Sequence, residues 1–97
     1  MSTIKNFEDL EIWQKSRILC QNIDKYCLKN NKFQKHDQNQ IDRSSASVMD
    51  NIAEGFEREG NKEFVNFLTM SKGSVGEVRS QLIREFDRNY LDESTFL

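Results

Sequence analysis

The chain has 97 residues, with 14 Lys and Arg against 16 Asp and Glu, a net charge of −2 and a pI near 5.4. That length holds one domain, residues 1–97, burying roughly 60–65% of its unfolded surface, and the charge excludes a wholesale basic nucleic-acid binder. No proline and only four glycines interrupt it, which favours long helices. No apolar run resembles a signal peptide or approaches the ~18 residues of a membrane span, so a cytoplasmic protein is expected.

The first helix is predicted from Asn6 or Asp9, both good N-caps, to about Leu28. Leu10, Trp13, Cys20, Ile23 and Cys27 follow three- and four-residue spacing, and Ile12, Leu19 and Tyr26 form a second stripe seven apart. Two stripes imply two packed sides, as in a bundle whose helix also meets a neighbouring subunit. Cys20 and Cys27 share one face but are about 10 Å apart at 1.5 Å rise per residue, beyond the reach of a disulfide. With the single histidine, His36, outside that helix, they make no metal set and read as small buried hydrophobes.

Asn30, Asn31 and the mixed segment to Gln38 break the pattern. The second helix is predicted over about Gln38 to Glu57, with Ile41, Ser45, Val48, Ile52 and Phe56 inward. Gly55 lies inside this pattern and costs about 1 kcal/mol relative to Ala, so it implies close backbone approach. Arg58 to Asn61 reads as the turn, with Gly60 a C-terminal signal and Asn61 the next N-cap.

The third helix, about Lys62 to Asn89, repeats Phe64, Phe67, Leu68, Ser71, Val75, Val78, Leu82 and Phe86. Ser71, Gly73, Ser74 and Gly76 lie midway, placed to face the small residues of helix two in an αα-hairpin. Leu91 and Phe96 then flank Asp92 as a hydrophobic staple would, announcing a fourth helix. The expected fold is all-α: an up-and-down antiparallel bundle of three long helices plus the truncated start of a fourth. Its core should include Leu10, Trp13, Ile23, Ile41, Val48, Ile52, Phe56, Phe64, Leu68, Val75, Val78 and Leu82.

Two constellations carry possible chemistry. Arg43, Ser47, Asn51 and Glu54 line one face of helix two, and Ser74 and Glu77 are three apart on helix three. A catalytic reading pairs Glu54 with Glu77 as acid and base. No histidine, thiol or metal set accompanies them, and an interhelical polar network that sets register is the better reading.

Lys25, Lys29, Lys32 and Lys35, with His36, Tyr26 and Phe33, form the basic cluster, and Arg58 and Lys62 lie at the second turn. Lysines with an aromatic suit a phosphate backbone and a stacked base; a solvated helix C-terminus suits the same residues. Residues 1–40 carry seven Lys and Arg against five Asp and Glu, while residues 41–97 carry seven against eleven. A polyanion site therefore belongs to the first half or a local patch.

Several motifs together resemble a known family. Phe7 to Lys15 resembles its opening, an aromatic and Asp-Leu before a Val/Ile-Trp pair. Arg43, Ser47 and Asn51-Ile52-Ala53-Glu54-Gly55 are similar to its second-helix signature, and Lys62-Glu63-Phe64, Phe67-Leu68, Gly73-Ser74 and Glu77 to its third. The family is that of the four-helix bundle proteins of 23S rRNA intervening sequences, related to the accessory variability determinant of diversity-generating retroelements. Met49-Asp50 stands where many relatives carry a proline. The resemblance implies a homo-oligomer, most plainly a pentamer, that binds RNA or DNA or a protein such as a reverse transcriptase. It implies neither enzyme activity nor a cofactor. The function expected is a nucleic-acid-associated accessory protein using lysine patches; the alternative is a protein-binding scaffold.

Overall fold

A 3-10 turn, Phe7–Asp9, leads into α1, Glu11–Ile23, whose end widens into a π-helical turn, Asp24–Leu28. Helix α2 spans Lys35–Glu57 and α3 spans Asn61–Asp87. The computed structural model describes residues 4–92, and they contain no strand. The three helices run antiparallel in succession within a rod of 47 × 20 × 19 Å. The sequence motif for a fourth helix extends into residues 93–97, outside those described.

The boundaries differ from expectation for local reasons. Neither Asn6 nor Asp9 caps α1: its N-cap is Leu10, with no side-chain cap bond. The 3-10 turn instead folds Phe7 back onto Trp13, with ring centroids 5.2 Å apart in edge geometry, and Gln14 Nε2 donates to the Glu8 carbonyl at 2.9 Å. Helix α2 begins three residues before Gln38 and is unbroken past Met49-Asp50. Gly60, not Asn61, is the N-cap of α3; its φ of +97° is a conformation open to glycine.

Helices α2 and α3 form the main hairpin, and small residues set their separation. A Cβ on Gly55 would lie 2.6 Å from the Cβ of Phe67, so the two backbones meet where only glycine fits. Ser71 Oγ donates to the Val48 carbonyl at 2.7 Å. Gly73 and Gly76 do not share in this approach: both are exposed, with nothing within 4 Å of where a Cβ would stand.

That close line rotates α3 relative to expectation. Ser71, Ser74, Val78 and Glu85 are its buried residues, while Val75, expected in the core, is 37% exposed. Leu10, Trp13, Phe56, Phe64, Leu68 and Leu82 are half-buried, and Ile23, Ile41, Val48, Ile52 and Val78 are buried. Small side chains on the contact line push the bulkier ones to its flanks.

The main buried apolar cluster lies toward the end where α1 finishes and α3 exits. Ile23, Cys27, Phe33, Ile41, Val78 and Leu91 form one buried cluster, with Leu19, Leu28, Leu82 and Tyr90 against it. On the side of the bundle between α1 and α3, an open apolar groove of about 420 Å³ runs over α2, lined by Ile12, Leu19, Val48, Ile52, Leu68 and Val75. Lys15 and Lys72 stand on its rim. No helix among the described residues is long and apolar enough to cross a membrane.

Candidate nucleic-acid interface

The lysine-bearing end is built by two unusual helix exits. In the first, α1 widens, and the Lys29 amide reaches back five residues to the Asp24 carbonyl at 3.2 Å. A π turn inserts one extra residue and so swings the following side chains around the axis. Carbonyls in and just after the turn gather on one side chain of α2: Gln38 Nε2 lies 3.2, 3.1 and 3.1 Å from those of Cys27, Leu28 and Asn30.

The second exit is a Schellman motif. Asn89 takes the left-handed conformation, with φ of 64°. The Tyr90 amide donates to the Glu85 carbonyl at 3.0 Å and the Asn89 amide to that of Phe86 at 2.9 Å. Asparagine is among the residues other than glycine that most readily take this φ.

The two exits are tied together. Asn30 Nδ2 donates to the Tyr90 carbonyl at 2.9 Å while its Oδ1 accepts from the Lys32 amide at 2.9 Å. Phe33, read from sequence as part of the basic cluster, is instead buried, its ring 6.4 Å from that of Tyr90. Between the exits opens a cleft of about 480 Å³, lined by Lys25, Tyr26, Asn30, Lys32, Asn89, Tyr90, Leu91 and Asp92. Lys25 Nζ stands 5.0 Å from the centroid of the Tyr26 ring.

The structure thus draws Lys25 and Lys32 to one cleft. Lys29 pairs with Asp24 at 3.4 Å, and Lys35 opens α2, exposed at the same end. Arg58 and Lys62 lie apart, because α2 separates Lys35 from Arg58 by about 34 Å at 1.5 Å per residue. Arg58 is committed locally, bonding Glu54 at 2.8 Å and resting 5.2 Å from the Phe67 ring centroid. Sequence reasoning missed Asn89, Tyr90 and Asp92; the Asn-Tyr pair after a long apolar repeat was the available signal, an asparagine where a helix turns out.

Of the polar set assigned to the helix interface, three residues meet. Asn51 Nδ2 donates to Ser47 Oγ at 2.9 Å, and Ser74 Oγ bonds Ser47 Oγ at 2.9 Å. Arg43, Glu54 and Glu77 are exposed, and Glu54 faces Arg58 instead.

A second polar group went unread. Asp37 and Glu85 are buried, and Arg88 from α3 bridges them, with Nη1 donating to Asp37 Oδ2 and, at 3.1 Å, to Glu85 Oε2. Nearby, Arg84 Nη2 donates to Gln40 Oε1 and Gln81 Nε2 to Ser44 Oγ, each at 3.1 Å. Burial, then the charge of Asp37, raise the carboxyl of Glu85 above the usual glutamate range, against the pull of Arg88. Burial, with Glu85 beside it, pushes the Cys27 thiol up to about 12. Burial likewise raises Cys20, whose Sγ donates to the Ser45 carbonyl at 3.2 Å. Both thiols are therefore poor nucleophiles near neutral pH. Among the described residues no group of three or more His, Cys, Asp and Glu is placed to hold a metal ion.

A helical bundle with an open apolar groove on one side and an exposed lysine-bearing end is the class of protein this geometry defines. The model of one family, the 23S rRNA-intervening sequence proteins, matches residues 8–97, and the chain belongs to that family. No curated protein and no solved structure matches the chain significantly.

Proposed function

We propose that this protein is a non-enzymatic accessory protein that contacts the backbone of RNA or DNA through the lysine-bearing end of its bundle. The carrying observation is that four lysines from the π turn, the following loop and the start of α2 gather at one end, two of them on a cleft with aromatic walls. The far end, where α1 starts, α2 stops and α3 starts, carries Glu8, Asp9, Glu11, Glu54, Glu57, Glu59 and Glu63 against Lys5, Lys15, Arg58 and Lys62, a net negative balance even with Glu11 and Glu54 ion-paired. Those carboxylates repel a polyanion and confine it to the lysines. The family's association with a ribosomal RNA insertion favours RNA.

Contact of this kind is independent of base sequence, because lysines meet phosphates and carry no code. Affinity should fall with salt by about 0.7 to 0.9 logarithmic units per logarithmic unit of salt for each phosphate neutralised. Titration of a structured RNA at several salt concentrations tests this. Replacing Lys25, Lys29, Lys32 and Lys35 together by glutamine should flatten the slope and leave the helical circular dichroism intact. Wild-type protein that shows no salt-sensitive binding at low ionic strength, or a quadruple variant that binds as tightly, ends the reading.

The α1–α3 groove favours a scaffold role as the second reading, with a further copy of this chain as its occupant. Its apolar wall includes Ile12, 44% exposed, and Val75. Ser16 and Ser71 allow a helix to come close, and the rim lysines suit a copy whose second half is acidic.

A further inference from the structure

The cleft between the two helix exits has the size and lining of a ligand site, and its chemistry is more specific than a lysine patch requires. We infer that it takes one unpaired nucleotide of a single strand, with the base against the tyrosines and the adjoining phosphodiester on Lys25 and Lys32. This rests on the backbone-binding reading above and adds to it a place for a base.

The volume, about 480 Å³, falls within the roughly 300–1,000 Å³ of small-molecule sites. Its walls hold two aromatic rings, from Tyr26 and Tyr90, on separate helix exits. Tyr26 is 41% exposed, and Lys25 Nζ lies over its ring at 5.0 Å, so a base stacked on the ring sits beside that ammonium. Tyr90 is held in place by the packing of its ring near Phe33 and by the bond from Asn30 to its carbonyl. Stacking on such a platform is tolerant of base identity, since every base has a π face.

The charges select the form of the ligand. Two lysines and one carboxylate, Asp92, line the cleft, leaving a net positive charge of one. A phosphodiester carries a single negative charge and matches that balance; a terminal phosphate, near two at neutral pH, meets Asp92 in excess. An internal nucleotide of a strand therefore fits better than a free mononucleotide. A paired base has no access, because its faces are covered by neighbours in the stack. Asn30 is engaged on both sides of its amide and shapes the wall beside Asn89.

RNA and DNA share this chemistry, and parallel titrations with strands of the same sequence separate them. The probe is a short oligonucleotide with 2-aminopurine at one unpaired position, compared with the same strand annealed to its complement. Wild-type protein should quench the unpaired probe and bind it more tightly than the duplex at equal salt. Tyr26→Ala should abolish the quenching and weaken single-strand binding about 5- to 150-fold, the equivalent of about 1 to 3 kcal/mol of stacking. Tyr26→Phe, which keeps the ring, should retain both properties, and circular dichroism should be unchanged in either variant. Salt-sensitive binding in which Tyr26→Ala equals wild type, or in which duplex and single strand bind alike without quenching, overturns the pocket and leaves the backbone reading standing. Absence of salt-sensitive binding to any strand overturns both.

Discussion

Glu85 is held where a carboxylate is least at ease, 1% exposed on the buried face of α3 and beside a second buried acid. Its proton affinity in the folded protein exceeds that of an ordinary glutamate. Between the ordinary value, 4.5, and the higher folded one, the native state binds more protons than the unfolded chain, so this residue's contribution to stability is complete in acid and is lost as pH rises. Asp37, Arg84 and Arg88 are the charged groups that face it. Glu85→Gln mimics the protonated form, offering an amide to Asp37 while its oxygen accepts from Arg88. Thermal melts from pH 5 to 8 should show the variant gaining on wild type as pH rises; parallel curves would refute the assignment. The position was visible in the sequence, seven residues after Val78 and fourteen after Ser71, but a carboxylate on a periodic stripe reads as surface. Ile23, Ile41, Val48, Ile52 and Val78 were legible because their type and spacing agree. Val75 was not, because apolar character alone does not distinguish the core line from the wall of an open groove.

At the level of elements, glycine acts in two distinct ways. Adding a methyl at Gly55 sets two Cβ atoms against each other at 2.6 Å, and neither is the movable end of a side chain. Gly55→Ala gains about 1 kcal/mol of helix propensity but incurs overpacking of about 1–3 kcal/mol, and should lower the denaturation midpoint. At Gly60 there is room for a methyl, yet φ is +97°, so Gly60→Ala should cost about 1–2 kcal/mol through backbone strain. Combining either change with Phe67→Gly separates the mechanisms: removing the opposing Cβ should relieve the first and leave the second untouched. Equal rescue of both would contradict this account. The three helices were readable because their periods are long and no proline interrupts them. Their ends were less so: the cap of α1 is a leucine with no side-chain bond, and the π turn after it depends on Gln38, ten residues further along, which no local pattern announces.

For the whole molecule, the decisive contrast is between a well-filled end and an open side. The core cluster closes the end near Leu91, whereas the groove between α1 and α3 leaves Ile12 and Val75 in contact with water. Sedimentation at micromolar concentration should therefore give a mass above the 11.5 kDa of one chain, and Ile12→Ser with Val75→Ser should reduce it while preserving helical content. A monomer of wild type at that concentration would remove self-association from the proposal. The two stripes on the first helix foretold an apolar second side, but what that side borders is a property of three helices together. Likewise the cleft at the lysine end joins residues 25–32 to residues 89–92, a separation over which no spacing rule operates.

Helix α1 packs chiefly against α2, and its other flank borders the groove. The hairpin of α2 and α3, by contrast, shares one long contact line. Cooperativity should be uneven as a result: α1 can detach at a free energy below that of global unfolding, as a separate opening unit. The chain carries its own reporter, since its single tryptophan, Trp13, sits on α1 with Phe7 at its edge. In a denaturant series, Trp13 emission should shift before the far-ultraviolet ellipticity falls, and amides across Glu11–Ile23 should exchange faster than those in the middle of α2. Coincident transitions by both probes would mean that the three helices melt as one.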